Sequence, residues 1–148
     1  VAEFPGSHPI DPLGILTASC DFLIPAALED TITAEIAPKI EAKIIAEAAN
    51  GPTTLDAVHI LYHKGVTVVP DVLANAGGVT CSYFEQVQSN MNYYWPLSEV
   101  LSKLDRKLTA AFIAVSDLAK SKKLSMRDAA FVIAIDRVAS QCRERGWL

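Results

Sequence analysis

Three short apolar runs, spaced about twenty residues apart, constrain the fold of this chain more than any other feature. Each contains aliphatic or β-branched residues and is stopped by proline or an Asn-Gly-Pro turn: residues 20–27, 43–49 and 66–69. Runs this short, without polar alternation, are typical of strands buried on both faces, although a helical turn is also compatible with the first. The stretches between them are long enough for the crossovers that parallel strands need. The spacing therefore predicts an α/β fold.

Helix signals fill the two connections between these runs. Thr33 can cap a helix over residues 34–42, which Pro38 should keep short or bent. Thr53 opens a capping-box-like start for a second helix that ends near His63. Right-handed crossovers through these helices would make a partial Rossmann-like three-stranded parallel sheet, one half of a doubly wound sheet.

The rest of the chain carries helix signals alone, so C-terminal helices are predicted to follow the sheet. One segment is interrupted near its start by Gly77-Gly78. Ser98 is predicted to cap a long helix whose apolar residues recur at spacings of three and four. Ser125 opens another, over residues 126–143, with a capping box. Because residues 129–135 are unbroken apolar sequence, this last helix should be sandwiched between other elements.

Composition excludes several classes of protein. Thirteen basic and seventeen acidic side chains give a net charge of −4, without the basic stripe of a nucleic-acid binder. No apolar run approaches the roughly 18 residues that span a bilayer. Three cysteines far apart in sequence argue for reduced thiols and a cytoplasmic location. The first fourteen residues, broken by proline and glycine, are predicted to be an irregular loop entered in mid-course rather than a secretion signal.

Metal and thiol chemistry are not favoured. His59 and His63 lie four apart on a predicted helix, but Ile60 occupies the position of the glutamate in H-E-x-x-H. No third ligand is evident, so a solvated helix face is the better interpretation and no metal site is predicted. Cys81 has no basic neighbour in sequence to activate its thiol, so it is interpreted as a small buried apolar residue.

Ligands of an open parallel sheet bind beyond the carboxyl ends of its strands. Three segments rich in small and amide side chains fall there: residues 25–27, 49–54 and 71–78. The amides of Asn50 and Asn75 offer both a donor and an acceptor without charge, which suits ribose hydroxyls or a carboxamide. The alternative interpretation is that both asparagines form turns and helix caps.

Four segments of the sequence each resemble parts of a known protein superfamily: CDFLIPAALE (20–29), EAANGPTT (47–54), VVPDVLANAGGVTCSYFE (68–85) and RVASQCRERGW (137–147). In their order and spacing, they resemble the glutamate/leucine/phenylalanine/valine dehydrogenase superfamily over essentially the whole chain. The Ser-Tyr-Phe-Glu that follows the glycine pair favours the glutamate dehydrogenases over their leucine and phenylalanine relatives. The resemblance implies interconversion of L-glutamate with 2-oxoglutarate and ammonia through NAD or NADP.

The resemblance also implies binding residues. Cofactor would lie against Ala26 and Ala27 on its adenosine side, against Asn50 at the nicotinamide half, and near Asn75 at the nicotinamide ribose. Asn75, Val79 and Ser82 would bind the substrate, with the Ser82 hydroxyl able to hydrogen-bond a glutamate carboxylate. No catalytic residue is assigned, because the family carries its catalytic lysine and aspartate in an N-terminal domain that these segments do not match.

The resemblance implies a division of the chain at residue 78. Residues 1–78 would form the second half of a dinucleotide-binding domain, and residues 79–148 a C-terminal helical segment. No G-x-G-x-x-G motif is present to cradle a pyrophosphate. We therefore expect a catalytically inactive fragment of a homo-oligomeric enzyme, without nucleic-acid or membrane partners. The alternative is a non-catalytic nucleotide-binding or assembly module derived from a dehydrogenase half.

Two physical expectations follow from the same resemblance. The family usually has glycine where this chain has Ala48, so alanine would strain the turn if that position needs a positive φ. The strand at residues 22–25 would normally pair with the first strand of the domain. Its edge should be bare here, and the isolated chain should therefore self-associate.

Overall fold

The computed structural model describes residues 3–147, so the first two residues of the predicted opening loop lie outside it. In chain order the elements are α1 (Pro12–Thr17), β1 (Phe22–Leu23), a 3₁₀ turn (Ala37–Lys39), β2 (Ile44–Ala46), α2 (Leu55–His63), β3 (Thr67–Val69), α3 (Asp71–Ala74), α4 (Ala76–Met91), α5 (Leu97–Lys122) and α6 (Met126–Glu144).

The strands form one parallel sheet in the order β1-β2-β3, which confirms the predicted α/β class. Phe22 pairs with Ile44, and Ile45 pairs with Val68. The predicted end of β3 is confirmed, because Pro70 follows Val69 and cannot donate to a ladder. Strands β1 and β2 end earlier than predicted, at Leu23 and Ala46. Because the strands are parallel, their carboxyl ends lie at one edge of the sheet.

Two apolar clusters hold these elements together. The first lies where α2 and the 3₁₀ turn pack together beside the sheet: Leu23, Ile32, Ala37, Ile40, Ala42, Ile45, Ala57, Leu61 and Val66. The second joins α3, α5 and α6: Leu73, Val115, Ala119, Ala129 and Ala130. Small residues dominate the second cluster, so α5 and α6 approach closely.

The helix predicted over residues 34–42 is wrong. The amides of Ile36 and Ala37 both donate to the carbonyl of Thr33, and only the 3₁₀ turn Ala37–Lys39 follows. Pro38 has no amide to continue a helical ladder. The first crossover is therefore a tight turn packed against α2 and not a helix.

Several helix starts differ from the prediction by a few residues. The opening loop contains a helix, α1, which begins at Pro12 because the Asp11 carboxylate accepts from the Gly14 amide. Helix α2 is capped by Thr54, whereas Thr53 is buried in a bridge to Ile32.

The long helix α5 begins one residue before Ser98, which was wrongly predicted as its cap. Its N-cap is Pro96, which makes no side-chain capping hydrogen bond. The ring of Pro96 would clash with a preceding helical turn, so α5 cannot extend further towards its N-terminus. This sets the start of α5 without any capping hydroxyl. By contrast, the predicted cap at Ser125 is confirmed, since its Oγ accepts from the Asp128 amide at 3.0 Å. The Asp128 carboxylate accepts from the Ser125 hydroxyl at 2.7 Å, so the carboxylate-to-amide half of the predicted capping box does not form.

Two elements predicted to be enclosed are open on one side. In β1, Leu23 is buried but Phe22 is 66% exposed. In α6, Ala129 and Ala130 face the core, whereas Ile135 and Val138 are each 65% exposed. The predicted two-sided burial of both elements is wrong within the described residues, because each packs against its neighbours along one face only.

The two serines provide a matched test of helix capping. We expect Ser125→Ala to lower the free energy of unfolding by about 1 kcal/mol, because the substitution leaves the Asp128 amide without its acceptor. Ser98→Ala should change it by less than about 0.5 kcal/mol, because that hydroxyl caps nothing. Urea unfolding of both variants measures the difference, and equal losses would contradict it.

The bare edge of β1 predicts self-association of the isolated chain. Phe22 and Ile24, which is 61% exposed, flank an edge with unpaired backbone groups. Sedimentation velocity should show concentration-dependent association that Phe22→Lys suppresses. The control Leu97→Lys changes an equally exposed residue on α5 and should leave association unchanged. A wild-type chain that sediments as a monomer at high concentration would contradict the prediction.

Candidate functional site

The loops that leave β1 and β2 lie side by side at the carboxyl edge of the sheet. The carbonyl of Pro25 accepts hydrogen bonds from the amides of Ala48 at 3.0 Å and Ala49 at 2.9 Å. Ala26 and Ala27 follow directly and are exposed, with methyl groups as their only side-chain bulk. This arrangement leaves room for a ligand to lie against the backbone of residues 26–27.

Asn50 and Asn75 meet at the same edge. The Nδ2 of Asn75 donates to the Oδ1 of Asn50 at 2.7 Å, although the residues are 25 positions apart. Asn75 stands between α3 and α4, with φ −97° and ψ 2°, and its side chain caps no helix. The structure thus places Asn75 in a contact between two loops, rather than in the helix-capping role of the alternative interpretation.

The turn after Asn50 depends on Gly51. Its φ is +56°, a conformation that side-chain-bearing residues rarely adopt. The Gly51 amide donates to Oδ2 of Asp71 at 2.8 Å, and its carbonyl accepts from the Asp30 amide at 2.9 Å. Ala48 is not among the residues with positive φ, so the strain expected from alanine at that position is absent.

Asn75, Val79 and Ser82 follow one face of α4. Spacings of four and three residues place them on the same side of the helix. Val79 is 70% exposed, and Ser82 is exposed as well. The other side of α4 packs on the protein through Phe84, which is 8% exposed and contacts the ring of Trp95. The three residues therefore extend the rim formed by the strand ends.

A buried ion network lies directly beneath this rim. Glu47, at the end of β2, is fully buried and pairs through Oε2 with the guanidinium of Arg127 on α6. The same Oε2 accepts from the Asp71 amide at 2.8 Å. Arg127 Nη1 also contacts Asp71 Oδ1 at 3.2 Å. One guanidinium thereby joins β2, α3 and α6.

The network continues to the two asparagines. Asp71 uses its second oxygen to hold Gly51, the residue after Asn50, and Asp71 opens the short helix that ends at Asn75. Sequence reasoning missed this role of Glu47, Asp71 and Arg127. The available signal was an acidic residue at the end of an apolar run, where an isolated carboxylate would be costly to bury.

The rim suits a neutral, polar ligand group. Its exposed hydrogen-bonding groups are amides and a hydroxyl, whereas the charges of Glu47, Asp71 and Arg127 are mostly buried and paired with one another. Amide and hydroxyl groups of this kind fit the carboxamide and ribose of a nicotinamide nucleotide. This sequence contains no glycine-rich loop that could bind the pyrophosphate of such a nucleotide.

Residues 3–147 contain neither a metal-binding cluster nor a membrane-spanning helix. No group of three or more His, Cys, Asp or Glu side chains there is placed to hold a metal ion, and His63 instead contacts the ring of Tyr62. Over the same residues, no helix is both long and apolar enough to cross a membrane. Cys81, predicted to be buried, is half-buried.

Comparison with known proteins gives a consistent result. A family model for glutamate/leucine/phenylalanine/valine dehydrogenases matches residues 1–146. A NAD-specific glutamate dehydrogenase from Staphylococcus aureus strain COL is 53% identical over 128 residues, which make up 86% of this chain and 31% of that protein.

Solved structures agree in fold. The glutamate dehydrogenase of Peptoniphilus asaccharolyticus superimposes with a TM-score of 0.79 at 40% identity, covering 84% of this chain and 32% of that one. A hetero-hexameric glutamate dehydrogenase from Thermus thermophilus, in its leucine-bound form, gives a TM-score of 0.88 at 29% identity. That match covers 97% of this chain and 35% of the other. The chain thus spans about a third of the length of the relatives it matches.

Removing the shared guanidinium should destabilise the protein strongly. Arg127→Ala leaves the buried Glu47 carboxylate unpaired, so we expect a loss of about 3–5 kcal/mol in the free energy of unfolding. The control Arg137→Ala removes an exposed guanidinium from the same helix and should cost less than about 0.5 kcal/mol. Urea unfolding at neutral pH measures both, and similar values would show that the network contributes little.

Proposed function

The chain belongs to the glutamate/leucine/phenylalanine/valine dehydrogenase family, and from that premise we propose that it forms one wall of the cofactor and substrate cleft of a glutamate dehydrogenase. Residues 1–78 would be the second half of the dinucleotide-binding domain and residues 79–148 the C-terminal helical segment. The complete enzyme would interconvert L-glutamate with 2-oxoglutarate and ammonia through NAD or NADP. The 53% identity to a NAD-specific glutamate dehydrogenase supports NAD in particular.

The contact between Asn50 and Asn75 is the observation that carries this proposal. It brings two uncharged amides from separate loops to one point beyond the carboxyl ends of the strands, the usual ligand position in such sheets. The Asn50 amide would hydrogen-bond the nicotinamide half of the cofactor. Asn75 would reach both the nicotinamide ribose and the substrate, because it also begins the α4 face that carries Val79 and Ser82.

Ala26 and Ala27 would receive the adenosine side of the cofactor. They directly follow Pro25, whose carbonyl ties this loop to Ala48 and Ala49. Small side chains on a backbone held in this way allow a planar group to approach closely. The pyrophosphate would be bound by residues outside this sequence, since no glycine-rich phosphate loop is present.

Val79 and Ser82 would contact the side chain of the substrate. Ser82 can donate its hydroxyl hydrogen to the second carboxylate of glutamate or 2-oxoglutarate, a charge-assisted hydrogen bond. Val79, one helical turn earlier, presents a mainly apolar surface suited to the methylene groups of the same ligand. This pairing of one hydroxyl with one aliphatic side chain supports a dicarboxylate substrate.

The residues of this chain would bind and orient the cofactor and the substrate. None of them would donate or accept a proton in the reaction. A nicotinamide bound here would accept the hydride from the substrate Cα, with the proton transfers made by side chains outside this chain. We assign no catalytic residue among residues 1–148. The isolated chain should therefore be inactive, and the enzyme to which it belongs should be a cytoplasmic homo-oligomer.

Binding of NADH to the isotopically labelled chain, followed by ¹⁵N-HSQC, tests the site. Saturable shifts are expected at Ala26, Ala27 and the side-chain amides of Asn50 and Asn75. Asn50→Ala and Asn75→Ala should each weaken binding about three- to tenfold, the value of one uncharged hydrogen bond. The control Asn90→Ala alters an exposed asparagine near the far end of α4 and should leave affinity unchanged.

Two results would contradict the proposal. One is unchanged NADH affinity in both asparagine variants, which would place the cofactor elsewhere. The other is glutamate-dependent NADH formation by the purified chain, which would show that it holds the catalytic groups itself. Binding of NADH by a native protein of only 16.0 kDa would instead favour the non-catalytic module.

A further inference from the structure

A cavity of about 450 Å³ lies between α2, β3 and the turn that joins α5 to α6. It opens beside the amino end of β3, at Gly65 and Val66, whereas Asn50 and Asn75 lie beyond the carboxyl ends of the strands. Its volume is within the range of about 300–1,000 Å³ typical of small-molecule sites. The cavity is large enough for a ligand of its own.

The lining of this cavity is apolar with a cationic rim. The apolar part is formed by aliphatic side chains: Val58, Val66, Val68, Ala119 and Met126. Lys120 and Lys123 stand among the lining residues, and no Asp or Glu does so within the described part of the chain. Neither lysine forms an ion pair with any residue from 3 to 147. Two unpaired cations beside an apolar surface favour an amphipathic anion.

Arg127 also lines the cavity but offers it no accessible hydrogen-bond donor. Its Nη atoms serve Glu47 and Asp71, and its Nε–H is buried away from solvent and has no acceptor among the described residues. The charges open to a ligand in the cavity are therefore those of Lys120 and Lys123.

The rim of the cavity is ordered by contacts of its own. The Tyr62 hydroxyl donates to the carbonyl of Lys123 at 2.9 Å, and the Leu124 amide donates to the carbonyl of Ala119 at 3.0 Å. Lys123 itself is left-handed, with φ +55°, where the chain turns from α5 towards α6. These contacts fix the backbone of the turn on which Lys123 lies.

We propose that this cavity is a binding site for a small amphipathic anion, a carboxylate carried on an aliphatic chain. The aliphatic part would lie on the valines of α2 and β3, and the carboxylate would face Lys120 and Lys123. A lysine pair that only complements the C-terminal dipole of α5 would not need an apolar cavity beside it. The site is independent of the dehydrogenase role.

Titration of the labelled chain with octanoate, followed by ¹⁵N-HSQC, tests this site. Octanoate should produce saturable shifts at residues 65–68 and 124–127. Octanol, which has the same chain length and no charge, should bind at least about fivefold more weakly, because it cannot engage the cations. Shifts centred on the exposed residues of β1 and α6, or equal affinity for octanol, would overturn the proposal.

A pair of double variants separates the site from general charge effects. Lys120→Gln with Lys123→Gln should weaken octanoate binding about five- to tenfold and leave octanol binding unchanged, as expected for two rim charges. The control, Lys39→Gln with Lys122→Gln, removes the same net charge from residues that do not line the cavity. Equal octanoate affinity in the wild-type chain and the first variant, or an equal loss in the control, would overturn the proposal.

Discussion

The fully buried carboxylate of Glu47 is the constraint on which the rest of the structure depends. A charge in that position is tolerated only if it is paired and hydrogen-bonded, and Arg127 and the Asp71 amide supply those partners at Oε2. Oε1 has no hydrogen-bond partner among the described residues. Because Arg127 also pairs with Asp71, the requirement links the end of β2 to the starts of α3 and α6. The last helix is thereby anchored to the sheet by electrostatics as well as by apolar contact.

This anchoring explains how two loops form one rim. Asp71 accepts a hydrogen bond from the Gly51 amide and begins the short helix that ends at Asn75. The positions of both asparagines therefore depend on the same buried charges. The proposed anion site approaches the network from another side, because Arg127 is also one of its lining residues. One arginine thus borders two places of different chemistry: a neutral, polar rim suited to a nucleotide, and an apolar cavity with unpaired cations.

The exposed faces of β1 and α6 fit a chain that spans about a third of its relatives. The apolar pattern predicted that both elements would be enclosed. Both elements are indeed apolar, as the pattern indicated. What differs is the set of packing partners within residues 3–147, since Phe22 and Ile135 stay exposed there. Periodicity reports the apolar surface of an element but not which chain segment covers it.

The sequence by itself determined where β3 stops and where α6 begins, because Pro70 and the Ser125 cap act within a few residues. It also indicated which loops carry the amides. Local signals misjudged residues 34–42, where Pro38 and packing against α2 prevailed over a cap and an apolar pattern. Only the tertiary structure decided the pairing of Glu47 with Arg127, 80 positions away, and the meeting of Asn50 with Asn75. Those contacts depend on how close distant segments come, and residue type alone does not encode that distance.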